Sequence, residues 1–211
     1  MDRDSLHAHV RSLLGDLLAV RYTSEQLDHA IRRALSTLSL SVPLVLEQTL
    51  TLAVSGVDCD LSALPGLTQV LSVVYPWDAM DAVPISLRDW LFYWNSGLPA
   101  LRRTRGVFEA GEQVRICYCA LHTVDGLDGA ETTTVPDTLL GLLGLGAAGQ
   151  AAMLRAAAFL EAHGSLASDQ DQLRTLGQTW WGGFTEALTT QRCFQSLPQD
   201  PFPRVGFALE G

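Results

Sequence analysis

Gly144, Gly146 and Gly149 spell a G-x-G-x-x-G within residues 135–153. In a dinucleotide site such glycines form the tight turn from a buried strand into a helix. They let the backbone approach a pyrophosphate, and an acid about 20 residues on holds the ribose. The context here is poor for that chemistry. Residues 139–145 are all Leu and Gly, with no β-branched residue to favour a strand. Pro136-Asp137-Thr138 reads as a helix start, with Asp137 or Thr138 able to cap free N–H groups. Ala147 to Ala162 reads as one helix, closing near His163-Gly164. Glu161 has nearly the spacing of a ribose acid but ends no second strand. The glycines therefore read as close-packing positions between helices, and a dinucleotide-binding enzyme is the alternative.

The other constellations are weaker still. Cys117-x-Cys119 with His122 has metal-ligand residue types, but strand alternation puts His122 on the opposite face and no fourth ligand is evident. With Cys59 and Cys193, these thiols read as reduced and partly buried. His122 and Asp125 supply half of a catalytic triad, without a serine in a nucleophile elbow. Asp58, Asp60 and Ser62 lack the spacing of a calcium loop and read as a surface turn. His7 and His9 point to different sides of a helix. No catalytic residue, cofactor or metal is expected. Arg102, Arg103 and Arg105 follow Trp77, Trp90, Phe92, Tyr93 and Trp94. Basic residues beside aromatics can hold single strands by stacking. A covering flap is favoured, its aromatics on a sheet and its arginines facing solvent or a partner.

Charge supports the flap. The chain of 211 residues carries a net charge of −9, and all 14 of its basic residues are arginine. Affinity for phosphates comes from basic contacts, so an acidic chain is suited to bordering DNA rather than wrapping it. A hydrophobic content of 47% allows one domain with a sizeable core, or a core plus a small lobe. Thr138 to Leu154 is uncharged but only at the short end of the roughly 17–25 residues that cross a bilayer. It lacks an aromatic belt and reads as a buried helix, so no membrane is expected. The charged Met1-Asp2-Arg3-Asp4 does not open a signal peptide.

The elements that position these residues follow from periodicity. Leu6, Val10, Leu13, Leu14, Leu17 and Leu18 form one helical stripe. A second helix begins at Thr23, with Gln26 completing a capping box, and its stripe is Leu27, Ile31, Leu35 and Leu38. Arg32 and Arg33 lie on its wet side, and Pro43 ends it. Residues 47–55 alternate as a strand with Leu50, Leu52 and Val54 on one face, and Val70 to Tyr75 is a second strand. Gly111 makes a tight turn into a strand whose Val114, Ile116, Tyr118 and Ala120 face the core. Residues 121–134 are a polar loop. After the glycine-rich helix, a last helix runs from about Ser168 to Cys193 with the stripe Leu173, Leu176, Trp180, Phe184 and Leu188. The final residues, with three prolines, read as an extended arm carrying Phe202, Arg204 and Phe207.

The expected fold is α+β: a helical bundle of two N-terminal and two or three C-terminal helices, interrupted by an antiparallel β-rich insertion. Residues 1–45 and 135–195 would form the helical core, 46–134 the β lobe and 196–211 the arm. This layout resembles the head-to-tail adaptor, or connector, proteins of tailed bacteriophages. Tyr22-Thr-Ser-Glu-Gln-Leu-Asp-His-Ala-Ile-Arg-Arg-Ala34 is similar to the opening helix of that family. Asp60 to Leu67, leading to Val73-Val-Tyr-Pro76, resembles its β lobe, and Gly111 to Tyr118 followed by His122 resembles its next strand. Val135-Pro136-Asp137 through Ala148 resembles its returning helix.

The resemblance implies a structural virion protein without catalytic residues, made in the host cytoplasm. It implies a homo-oligomeric ring, commonly twelve-fold, docked under the portal protein and serving as platform for the next neck or tail protein. Double-stranded DNA would pass through the ring without specific binding. Subunit or partner contacts are expected at Arg102, Arg103, Arg105, Phe202, Arg204 and Phe207.

Overall fold

A computed structural model describes residues 1–80, 86–163 and 167–195. The expected arm, with Phe202, Arg204 and Phe207, and the Gly164 cap lie outside the described residues.

Helix α1 (Arg3–Leu13) is capped by Asp2, whose carboxylate accepts the Ser5 N–H. It stops one turn earlier than the apolar stripe predicts. Gly15 turns left-handed at φ 65°, and the Asp16 carboxylate collects the N–H groups of Val20, Arg21 and Tyr22. Side-chain acceptance of backbone donors competes with helix continuation. Leu17 and Leu18 are thereby left on a loop instead of the stripe. Helix α2 (Ser24–Ser41) opens with the expected Thr23–Gln26 capping box and buries Leu27, Ile31, Leu35 and Leu38. Pro43, which lacks an N–H, follows its end.

Between α2 and the next helix lie two antiparallel three-stranded sheets. One has the order β1 (Leu44–Thr51), β6 (Gln113–Ala120), β3 (Leu67–Val74). The other has the order β2 (Asp58–Asp60), β5 (Leu98–Arg103), β4 (Trp90–Asn95). Strand β6 buries Val114, Ile116, Tyr118 and Ala120, as its alternation predicts. The strand expected over 47–55 ends at Thr51. Beyond it the chain bridges from Gly56 to Phe108, and Val54 faces solvent. The expected turn at Asp58 is instead a strand, paired with β5 so that Asp58 opposes Arg102. The sheets share one apolar cluster, with Cys59, Leu101 and Phe108 beside Val70, Val73, Ile116 and Tyr118.

Helix α3 (Asp137–His163) returns to the helical part and runs unbroken through the glycine motif. Helix α4 (Ala167–Gln195) packs along it. Leu6, Leu27, Ile31, Leu38, Leu143, Ala147, Phe184 and Leu188 form the second apolar cluster. The fold is thus α+β, with a β insertion between the N-terminal and C-terminal helices. Helix α3 is long and apolar enough to cross a membrane over Asp137–Ala158, but most of that stretch is buried against its neighbours. The α4 stripe departs from expectation at Leu176, which is exposed, while Phe184 and Leu188 are fully buried.

Candidate subunit and partner interface

The glycine motif is a helix seam. No strand leads into it, because α3 is already helical from Asp137. A Cβ at Gly144 would lie 2.3 Å from His9 Cδ2, and one at Gly146 would lie 2.8 Å from Phe184 Cγ. At Gly149 it would meet the Trp181 backbone nitrogen at 2.9 Å and the Gly177 carbonyl at 3.0 Å. Gly177 repeats the approach from α4, 2.8 Å from the Gly149 carbonyl. Gly149 and Gly177 bring the α3 and α4 backbones together, Gly144 and Gly146 make room for the His9 and Phe184 rings, and the turn that would cradle a pyrophosphate is not formed. The dinucleotide alternative loses the context it needs.

The titratable groups hold the helices in place. Asp28, on the inward face of α2, accepts from Arg3 Nε at 2.8 Å and lies 2.9 Å from His7 Nε2, both on α1. The Arg3 guanidinium holds the Asp28 carboxyl below the usual carboxylate range, with the His7 contact adding to it against the opposing effect of burial. Burial likewise pushes Asp16 up, but its three backbone N–H donors and Arg11 outweigh that and leave it lowered. The sequence signal for Asp28 was an acid beside Leu27 and Ile31 on an apolar stripe.

His122 bonds the Val42 carbonyl at 3.0 Å and the Thr134 carbonyl at 3.1 Å, pinning the polar loop to the end of α2. Its ring partners exclude the triad pairing with Asp125, whose backbone carbonyl instead accepts the Arg3 N–H. Cys59, Cys117 and Cys119 are free thiols. Burial pushes Cys59 up to about 11, so it is no nucleophile at neutral pH. Among the described residues no group of His, Cys, Asp and Glu is placed to hold a metal.

The flap is a β4–β5 hairpin turning at Ser96 and Gly97, both left-handed at φ 52° and 85°. Trp90 and Phe92 pack on the β cluster, as the flap reading expects. The three arginines differ. Arg102 grips Asp58 through two bonds of 2.7 and 2.8 Å and lies 5.1 Å from the Tyr93 ring centre. Arg103 turns inward, contrary to expectation: its guanidinium covers the Tyr75 and Phe108 rings and donates to the Val107 carbonyl. Cation–π attraction draws it there. Arg105 is exposed. Sequence reasoning missed an exposed apolar loop, where Leu17, Leu18 and Val20 are 77%, 86% and 80% accessible.

No protein-family model matches the chain, and no curated protein does either. Among solved structures, it is similar to a chain described as the neck of an empty GTA particle computed with C6 symmetry. Identity is 16% and the TM-score 0.34, over 70% of this chain and 76% of that one, a likeness that assigns no role to any residue.

Proposed function

We propose that this chain is a structural head-to-tail connector subunit that forms a ring under the portal, extends the DNA channel and joins capsid to tail. The observation that carries this reading is the order of elements: two helices, a β insertion, then two long helices. It is the order that the resemblance in residues 22–34, 60–76, 111–122 and 135–148 implies. The fate of the glycine motif supports it too, since the most chemistry-like residues of the sequence are spent on packing α3 against α1 and α4.

Physical chemistry favours the role. A ring multiplies the −9 charge of each subunit, and acids along a channel repel the phosphates of passing DNA, which then slides without sticking. Ring contacts are heterologous, so each subunit needs two different matching surfaces. The hairpin with Arg102 and Arg105 is one candidate surface. The arm, residues 196–211, is a second, with Phe202, Arg204 and Phe207 as contacts to a neighbour or the portal.

Truncation before Leu197 tests the arm. The shortened chain is expected to unfold at the same temperature as the full chain, because it keeps every residue of the two apolar clusters described above. Its assembly, followed by sedimentation velocity, is expected to weaken by roughly 100-fold or more, the loss expected when Phe202 and Phe207 no longer bury against a partner. Unchanged assembly would remove the arm from the contact.

A further inference from the structure

The loop after α1 is built to be rigid and apolar at once. Asp16 binds three successive backbone N–H groups, and Arg11 ties Asp16 to the Tyr22 carbonyl. Arg155 of α3 donates to the Arg21 carbonyl and lies 5.2 Å from the Tyr22 ring centre. Ala19 is held left-handed at φ 54°, a conformation that alanine rarely adopts. The result is a fixed knuckle presenting Leu17, Leu18 and Val20 to solvent, with exposed Arg21 beside them. Large apolar side chains displayed on a locked backbone mark a contact surface, because their ordering cost is already met in the free subunit.

The same chain offers a matching receptor. A shallow depression of about 440 Å³ on α4 is lined by Asp171, Gln172, Thr175, Leu176 and Thr179. Leu176 gives it an apolar floor, and Asp171, ion-paired with Arg174 at 3.7 Å, supplies an acidic rim. Arg21 makes no ion pair among the described residues, so knuckle and depression are complementary in polarity and in charge.

We propose that the knuckle at 17–20 of one copy seats in the α4 depression of a second copy, with Arg21 against Asp171. This deepens the ring reading and rests on it: beside the hairpin and the arm, knuckle and depression add a pair of unlike surfaces of the kind a heterologous contact requires.

Sedimentation velocity of the full chain over a wide concentration range tests it. The variant Leu17→Ser/Leu18→Ser is expected to keep the wild-type unfolding temperature, since those side chains support no core, and to self-associate about 100-fold more weakly. Arg21→Glu is expected to weaken association about tenfold, and Asp171→Arg in the same chain to restore it. If the serine variant assembles like the wild type, or the charge reversal has no effect or is not rescued, the contact is overturned while the ring stands. If the wild type stays monomeric at every concentration, the ring reading fails and takes the contact with it.

Discussion

Gly149→Leu is expected to destabilise the chain by roughly 3 kcal/mol or more, at the upper end of what overpacking costs. The reason is the identity of the opposing atoms. A Cβ at Gly149 would lie 2.9 Å from the Trp181 backbone nitrogen and 3.0 Å from the Gly177 carbonyl oxygen. Backbone atoms of a packed helix cannot swing aside as a side-chain terminus can, so α3 and α4 must separate. The separation would open voids around Phe184 and Trp181, which pack at 5.1 Å between ring centres. Gly141 provides the control. Nothing lies within 4 Å of a Cβ there, and the position is exposed on the same helix. Gly141→Ala is expected to stabilise by about 0.5–1 kcal/mol through helix propensity alone. Urea unfolding of both variants reads the difference. A Gly149→Leu protein as stable as the wild type would mean that α3 and α4 do not approach through that glycine.

Asp16→Ala is expected to cost about 3–5 kcal/mol, the range for stripping one partner from a buried ion pair. Its carboxylate is almost fully buried, Arg11 lies 3.1 Å away, and three backbone donors would lose their acceptor. The same group shapes the pH dependence. Its pKa, like that of Asp28, is lower in the folded chain than in the unfolded one. Unfolding therefore takes up protons, and the stabilisation is fully present above the unfolded value near 4. It is lost as pH falls through the folded values. Thermal unfolding of the wild type is expected to drop steeply below about pH 4. Asp16→Asn should start lower and decline less over that range. An equal acid slope in the two proteins would mean that Asp16 is not held ionised.

The sequence was legible where the deciding signals lie close together in the chain. The capping box at Thr23, the β6 alternation and the helix start after Pro136 are local signals, decided within a few residues, and each appears where the sequence places it. The end of α1 was not legible, because Asp16 stops the helix by accepting donors from residues the stripe assigned no role. Strand β2 was hidden by two aspartates in three residues; it forms by pairing with β5, some 40 positions away, burying Cys59 and setting Arg102 opposite Asp58. Arg103 read as a solvent-facing cation for the same reason, since the rings that draw it inward come from distant segments. The glycine motif read as close packing from its lack of a strand, while its particular neighbours, Phe184 and Gly177, needed the fold.

The central claim, a structural ring subunit that uses no dinucleotide, is tested most directly by native mass spectrometry of the full chain at rising concentration, with and without NAD. The expected result is a closed assembly whose mass is a whole multiple of 22.9 kDa and is unchanged by NAD. A chain that stays monomeric at every concentration, or a monomer or dimer that gains the mass of NAD, would contradict it.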